Sequence, residues 1–175
     1  MPYFAAALAH TRTGWRATEL DLDEVEDSAE LIDLLRDLDD QAERTLLFLE
    51  EDDVYVAIVR VDDAEDPRVF VSDIRAGEES RIAAMLLEEA GRPEPASFLV
   101  EEEILDDVEA VVSDDAVQST DVLPAGDSDL LADLGTPSAD LLRLCAHEGL
   151  LPADVITAVS EKAGCLNELE EIRGG

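Results

Sequence analysis

The chain has 175 residues, 46% of them apolar and 4% aromatic, and its 12 basic against 45 acidic side chains give a net charge of −33. That length suffices for one sizeable core, or for a main domain with an appendage, built from Leu, Val, Ile and Ala. A small domain carries a net charge of magnitude roughly 2–8. The excess here argues against direct nucleic-acid binding and against an anionic membrane surface, which both draw affinity from clustered Lys and Arg, and it makes a basic protein the natural partner.

Residues 3–11 form an apolar segment, and Gly14 follows before a second run over 15–22. Glycine permits the positive φ of tight turns, so a β-hairpin turning near 12–14 is predicted. Asp27 and Ser28 are good helix N-caps. Leu31, Ile32, Leu34, Leu35 and Leu38 then recur at helical spacing, with Glu30, Asp33, Arg36 and Asp37 opposite, which predicts an amphipathic helix.

Three short β-rich runs come next, at 45–50, 54–62 and 68–72, separated by Asp52-Asp53 and by the turn-forming stretch 62–67. The middle run, from Val54 through Val59, is apolar at both alternating positions. Such a strand is expected to be central and covered on each side, or to sit against a partner. A second helix is predicted over 78–90, with Ile82, Met85 and Leu86 inward and Gly91 ending it. The order predicts an α+β domain over 1–91, an antiparallel sheet of about five strands with two packed helices.

Residues 92–126 read as an acidic connector of mixed order. Pro93, Pro95 and Pro124 punctuate it, and it carries Glu101, Glu102, Glu103, Asp106 and Asp107. A solvated linker is the simpler reading; an acidic tether for a basic partner is the other. The remainder, 127–173, is predicted to be a small helical unit. It comprises a short helix over 127–134 ended by Gly135, one capped by Thr136-Pro137 with Leu141, Leu142 and Cys145 on a face, one from Pro152 to Gly164, and a final turn or two. The helix after Pro152 carries Asp154, Glu161 and one base, Lys162, so a DNA-reading helix-turn-helix is disfavoured.

Chemistry-bearing motifs are sparse. Cys145, His147 and Cys165 are the soft-ligand candidates, but Cys145 and His147 are two apart on a helix and point away from each other, and no Cys-x-x-Cys occurs. Asp21-x-Asp23 starts like a calcium loop and then lacks the central Gly and terminal Glu. Neither Ser72 nor Ser113 has a histidine nearby in sequence, and phosphate loops, nucleophile elbows and dinucleotide fingerprints are missing. The ending Ile172-Arg173-Gly174-Gly175 matches the diglycine tail of ubiquitin-like modifiers in four residues only, and frayed termini often look alike. No catalytic residue, cofactor or metal is therefore expected. The start lacks a basic leader and no apolar run approaches the roughly 18–20 residues of a membrane span, so a cytoplasmic protein is expected.

Several segments carry a family likeness. They are Tyr3-Phe4-Ala5-Ala6-Ala7, Gly14-Trp15, Glu19-Leu20-Asp21-Leu22-Asp23, Glu50-Glu51-Asp52-Asp53, Ala57-Ile58-Val59-Arg60-Val61-Asp62, Asp66-Pro67-Arg68-Val69-Phe70-Val71-Ser72-Asp73 and Leu130-Leu131-Ala132-Asp133-Leu134-Gly135. Together they resemble actinobacterial proteins described as tRNA adenosine deaminase-associated, over most of the first 75 residues and again from about 124. The resemblance implies association with a deaminase and assigns no activity. Deaminase chemistry itself requires His-x-Glu with Pro-Cys-x-x-Cys, whereas here His147 directly precedes Glu148 and the cysteine pair is missing.

The expected function is thus a non-catalytic accessory protein docking on a basic protein, with tRNA adenosine deaminase or another tRNA-processing component as the candidate. Tyr55 and Phe70 are the expected apolar centre, and Glu101–Glu103, Asp106 and Asp107 the acidic contacts. Two other readings differ in class: a nucleic-acid mimic occupying a basic site, and a carboxylate- or metal-dependent enzyme. Sequence does not fix the oligomeric state.

Overall fold

A computed structural model of the chain describes residues 3–51, 54–63, 65–90, 123–146 and 150–174. The opening hairpin forms as predicted, from β1 (Tyr3–Thr11) and β2 (Gly14–Glu19). Gly14 has φ +125°, a conformation disfavoured by any Cβ, and the Thr11 hydroxyl closes the turn by donating to the Gly14 carbonyl at 3.2 Å. Helix α1 (Ser28–Asp37) starts where Asp27 predicts, the Asp27 carboxylate accepting from the Glu30 N–H at 2.8 Å. Its apolar stripe is buried at Leu31, Ile32 and Leu35 and half-buried at Leu34 and Leu38.

Strands β3 (Arg44–Glu51), β4 (Tyr55–Asp62) and β5 (Arg68–Val71) complete the expected set, and a sixth, β6 (Ala125–Gly126), joins them. The sheet runs β2-β1-β3-β4-β5-β6, and every neighbouring pair is antiparallel. Sequence reading stopped at five strands because β6 has two residues, too few for any alternation. Hydrogen bonds fix its place: the Ile74 N–H donates to the Leu123 carbonyl and the Asp127 N–H to the Val69 carbonyl, each at 2.8 Å.

Helix α2 (Arg81–Ala90) begins three residues later than predicted. Residues Ile74–Glu78 form a separate 3-10 turn capped by Asp73, and the Ser80 hydroxyl accepts from the Ala83 N–H at 3.1 Å, which resets the start. The predicted stop at Gly91 lies outside the described residues.

Strict alternation divides the sheet into two faces. Ala5, Ala7, Leu47, Leu49, Tyr55, Ala57, Val59, Val69 and Val71 point to one side, where α1, α2, Leu22, Val25 and Ala76 cover them. Ala6, Leu8, Leu46, Phe48, Val56, Ile58 and Phe70 point to the other. This second face is covered by Leu130, Leu131 and the helices α3 (Ser138–Ala146), α4 (Pro152–Ala163) and α5 (Leu166–Gly174), through Leu141, Val155, Ile156, Val159, Cys165 and Leu169. Strand β4 is buried from Tyr55 to Val61, as expected of a strand apolar on both sides.

Two C-terminal expectations need adjustment. Residues 127–134 form turns and a short 3-10 segment (Ala132–Leu134) in place of an α-helix: their N–H groups bond three residues back, Ala132 to Asp129 and Leu134 to Leu131 at 2.9 Å each, while Arg60 donates to the Leu130 carbonyl at 2.6 Å. Thr136 does not cap α3: it is fully buried, its hydroxyl has no partner among the described residues, and the Pro137 carbonyl accepts the first helical bond from Leu141 N–H at 3.0 Å. Gly135 (φ +98°) and Gly164 (φ +82°) end their segments as predicted. The residues through Gly174 are helical, so the Arg173-Gly174 part of the tail is folded onto the body.

Gly126 is the tightest point in the sheet. Its φ is +93°, and a Cβ there would lie 2.0 Å from the Val69 carbonyl oxygen. Gly126→Ala is therefore expected to lower stability by about 2–3 kcal/mol by combining left-handed strain with that clash. Urea denaturation checks it; an unchanged midpoint would mean that β6 is not held against β5.

Candidate functional site

Tyr55 and Phe70 project from opposite faces of the sheet and are each 1% exposed. The Tyr55 hydroxyl donates to Glu51 Oε2 at 2.8 Å, and the Ser80 hydroxyl reaches the same oxygen. With one proton apiece, both hydroxyls donate to this buried carboxylate, leaving the 3.1 Å Tyr55–Ser80 approach as a contact. Burial pushes the Tyr55 phenol well above its ordinary value, so it stays a donor. The cluster braces the β3–β4 hairpin against the start of α2. Phe70 is enclosed in the second core, so neither ring offers accessible surface. Glu101, Glu102, Glu103, Asp106 and Asp107 lie outside the described residues.

Of the soft-ligand candidates, Cys145 is half-buried and Cys165 fully buried, both in the second core. Burial pushes the thiols of Cys145 and Cys165 up to about 12, leaving them protonated and poorly nucleophilic at neutral pH. His147 lies outside the described residues. Asp21 Oδ1 accepts from the Tyr3 hydroxyl at 3.1 Å and the Asp23 N–H at 2.9 Å, an ordinary turn arrangement. Among the described residues, no group of three His, Cys, Asp or Glu converges to hold a metal ion, and no helix is long and apolar enough to cross a membrane. Ser72 is buried, with its hydroxyl accepting from the Val56 N–H at 3.0 Å.

Open depressions occur where the α1–β3 loop meets the β4–β5 turn. One is bounded by Arg36, Asp39, Thr45 and Asp62, another by Arg12, Gln41 and Glu43, and Asp40 and Asp63 border both. Backbone bonds hold this end together, from Glu43 N–H to the His10 carbonyl at 2.8 Å and from Asp63 N–H to the Glu43 carbonyl at 3.1 Å. Asp40, Glu43 and Asp63 are exposed, which suits charge display better than acid–base chemistry.

Sequence reading overlooked the arginines that join the layers. Arg60 is 5% exposed in the middle of β4, on the face covered by the C-terminal helices. Its guanidinium grips Asp133 through both nitrogens (Nη1–Oδ1 2.5 Å, Nη2–Oδ2 2.9 Å) and donates from Nε to Asp62 at 2.8 Å. Arg44 also reaches Asp133, at 3.1 Å, Arg68 pairs with Asp127 at 2.5 Å, and Arg173 pairs with Glu50 at 2.8 Å while lying 4.8 Å over the Phe4 ring. The available signal was one charge inside the otherwise apolar 55–61 run.

The Arg60 guanidinium beside Asp133 holds that carboxyl below its usual value, against a smaller opposing effect of burial. A depressed folded pKa contributes stability above the unfolded value, lost as pH falls through the folded one. Asp133→Ala removes two bonds from a buried guanidinium that keeps Asp62 and the Leu130 carbonyl, and Asp133 is half exposed; discounting for solvent, the expected cost at pH 7 is about 2 kcal/mol. The difference from wild type should shrink below pH 4 as Asp133 protonates; a gap that stays constant in acid would show that the charge pair is not its source.

Comparison with known proteins gives one relationship. No curated protein and no solved structure matches the chain. The family model for Rv3753c-like tRNA adenosine deaminase-associated protein matches residues 3–166, which takes in the hairpin, both sheet faces and the C-terminal helices through the start of α5. The chain therefore belongs to the Rv3753c-like tRNA adenosine deaminase-associated family.

Proposed function

We propose that this chain is a non-catalytic acidic adaptor that docks on a basic protein, either tRNA adenosine deaminase or another tRNA-processing component. The observation that carries the reading is where the two signs of charge go. Among the described residues, eight of the eleven bases sit in ion pairs with the chain's own carboxylates: Arg16, Arg44, Arg60, Arg68, Arg75, Arg143, Lys162 and Arg173. Arg36 and Arg81 are turned onto backbone carbonyls. Acids such as Asp33, Asp37, Asp40, Glu43, Asp63 and Glu65 meanwhile face solvent. A surface of this kind repels phosphate and steers a basic protein toward it. Membership of a deaminase-associated family supports the choice of partner.

The test is the affinity of the full chain for tRNA adenosine deaminase as salt is raised. Screening shortens from about 10 Å at 0.1 M to about 3 Å at 1 M, so binding should weaken by roughly tenfold or more over that range. The chain should show no affinity for tRNA alone. A salt-independent affinity, or retention of tRNA by the isolated chain, would defeat the acidic-adaptor reading.

A further inference from the structure

One of the depressions beside the α1–β3 loop has a buried floor. Thr45 and Val61 stand opposite one another in the β3–β4 register and are 3% and 4% exposed. Alternation puts both on the face that α1 and α2 cover, in line with Leu47 and Val59 two residues away. The loop that follows α1 leaves a hollow of about 210 Å³ bordered by this pair. The Thr45 hydroxyl has no hydrogen-bond partner among the described residues. Buried polar groups are paired as a rule, so this hydroxyl needs water or a ligand that enters through the hollow.

The walls select the ligand. Asp40 and Asp63 border the hollow, exposed and in no ion pair among the described residues. Its other charges are engaged: Asp62 by Arg60 at 2.8 Å, Asp39 by Arg16 at 3.6 Å, and Arg36 by the Glu65 carbonyl at 3.2 Å. Four carboxylates against one guanidinium repel an anion. Among the described residues, no three acids converge on a metal position. At about 210 Å³ the hollow is also smaller than the roughly 300–1,000 Å³ of small-molecule sites, which leaves a single side chain. Ala42 and Val61 offer apolar contact to its stem, and Asp40, Asp63 and the Thr45 hydroxyl offer acceptors to its head. Arginine combines an apolar stem with a planar head that serves several acceptors at once.

We infer that this hollow receives an arginine side chain of the partner protein, whose guanidinium takes Asp40, Asp63 and the Thr45 hydroxyl as acceptors. The inference rests on the adaptor reading and gives it one specific contact. The neighbouring depression beside Arg12, Gln41 and Glu43 has only exposed or half-buried walls and is not part of the site.

Two probes of the full chain test it. N-acetylarginine amide should shift the amide NMR signals of Ala42, Thr45 and Asp63 saturably, and the neutral N-acetylcitrulline amide should not. Affinity for tRNA adenosine deaminase should fall roughly tenfold or more in D40N/D63N. T45V should weaken it about threefold, the worth of one hydrogen bond, without lowering the melting temperature, because no bond of the fold is lost. E170Q/E171Q, the same charge change on exposed positions of α5 across the sheet, should alter affinity less than about twofold. Equal shifts with the citrulline probe, or deaminase binding untouched by D40N/D63N and T45V, overturns this site and leaves the adaptor reading standing. No deaminase binding by the wild-type chain even at low salt removes both.

Discussion

The structure depends on a sheet whose central strands are apolar on both faces. Strand β4 buries every side chain from Tyr55 to Val61, and β3 does the same from Thr45 to Leu49. Such strands require two covers. The first, α1 and α2, comes from segments adjoining the strands in sequence. The second comes from the far end of the chain, whose residues beyond Gly126 supply eight of the fifteen buried members of that core. Closing the second face is thus a long-range event, and Phe48, Ile58 and Phe70 stay exposed until it happens.

Electrostatics bears directly on that closure. A chain with 45 acids against 12 bases must bring an acidic C-terminal segment onto the rest of an acidic body. Arg44, Arg60 and Arg68 project from three consecutive strands toward Asp133 and Asp127, and Arg173 returns from α5 to Glu50. Four of the eleven described bases lie on this seam, where each one offsets repulsion between the layers. Arg16, Arg75, Arg143 and Lys162 are exposed, each beside a carboxylate of the chain itself, so the exterior stays negative.

Much of the architecture was legible in the sequence because it follows local rules. Gly14 marked the hairpin turn, Asp27 the start of α1, Pro152 and Gly164 the ends of α4, and unbroken apolarity marked β4 as central. The misreadings arose where tertiary partners override local signals. The two-residue β6 is placed by its bonds to β5 and the 3-10 turn, and the segment 127–134 is fastened to the sheet by Arg60 through Asp133 and the Leu130 carbonyl. Sequence could name Tyr55 and Phe70 as large aromatics but could not place them inside, because their burial depends on covers from distant segments. Val54 was expected to be covered with the rest of its run, yet it lies in the turn before β4 and is 56% exposed, because its N–H closes that turn onto the Glu51 carbonyl.

The most direct test of the account is adenosine deamination in tRNA, measured with the deaminase alone, with this chain alone, and with both at low and high salt. A non-catalytic adaptor predicts no inosine from the chain alone. It also predicts a change in the deaminase's rate on adding the chain, erased as salt dissociates the pair. Inosine formed by the chain alone, or identical deaminase rates with and without it at low salt, would contradict the account.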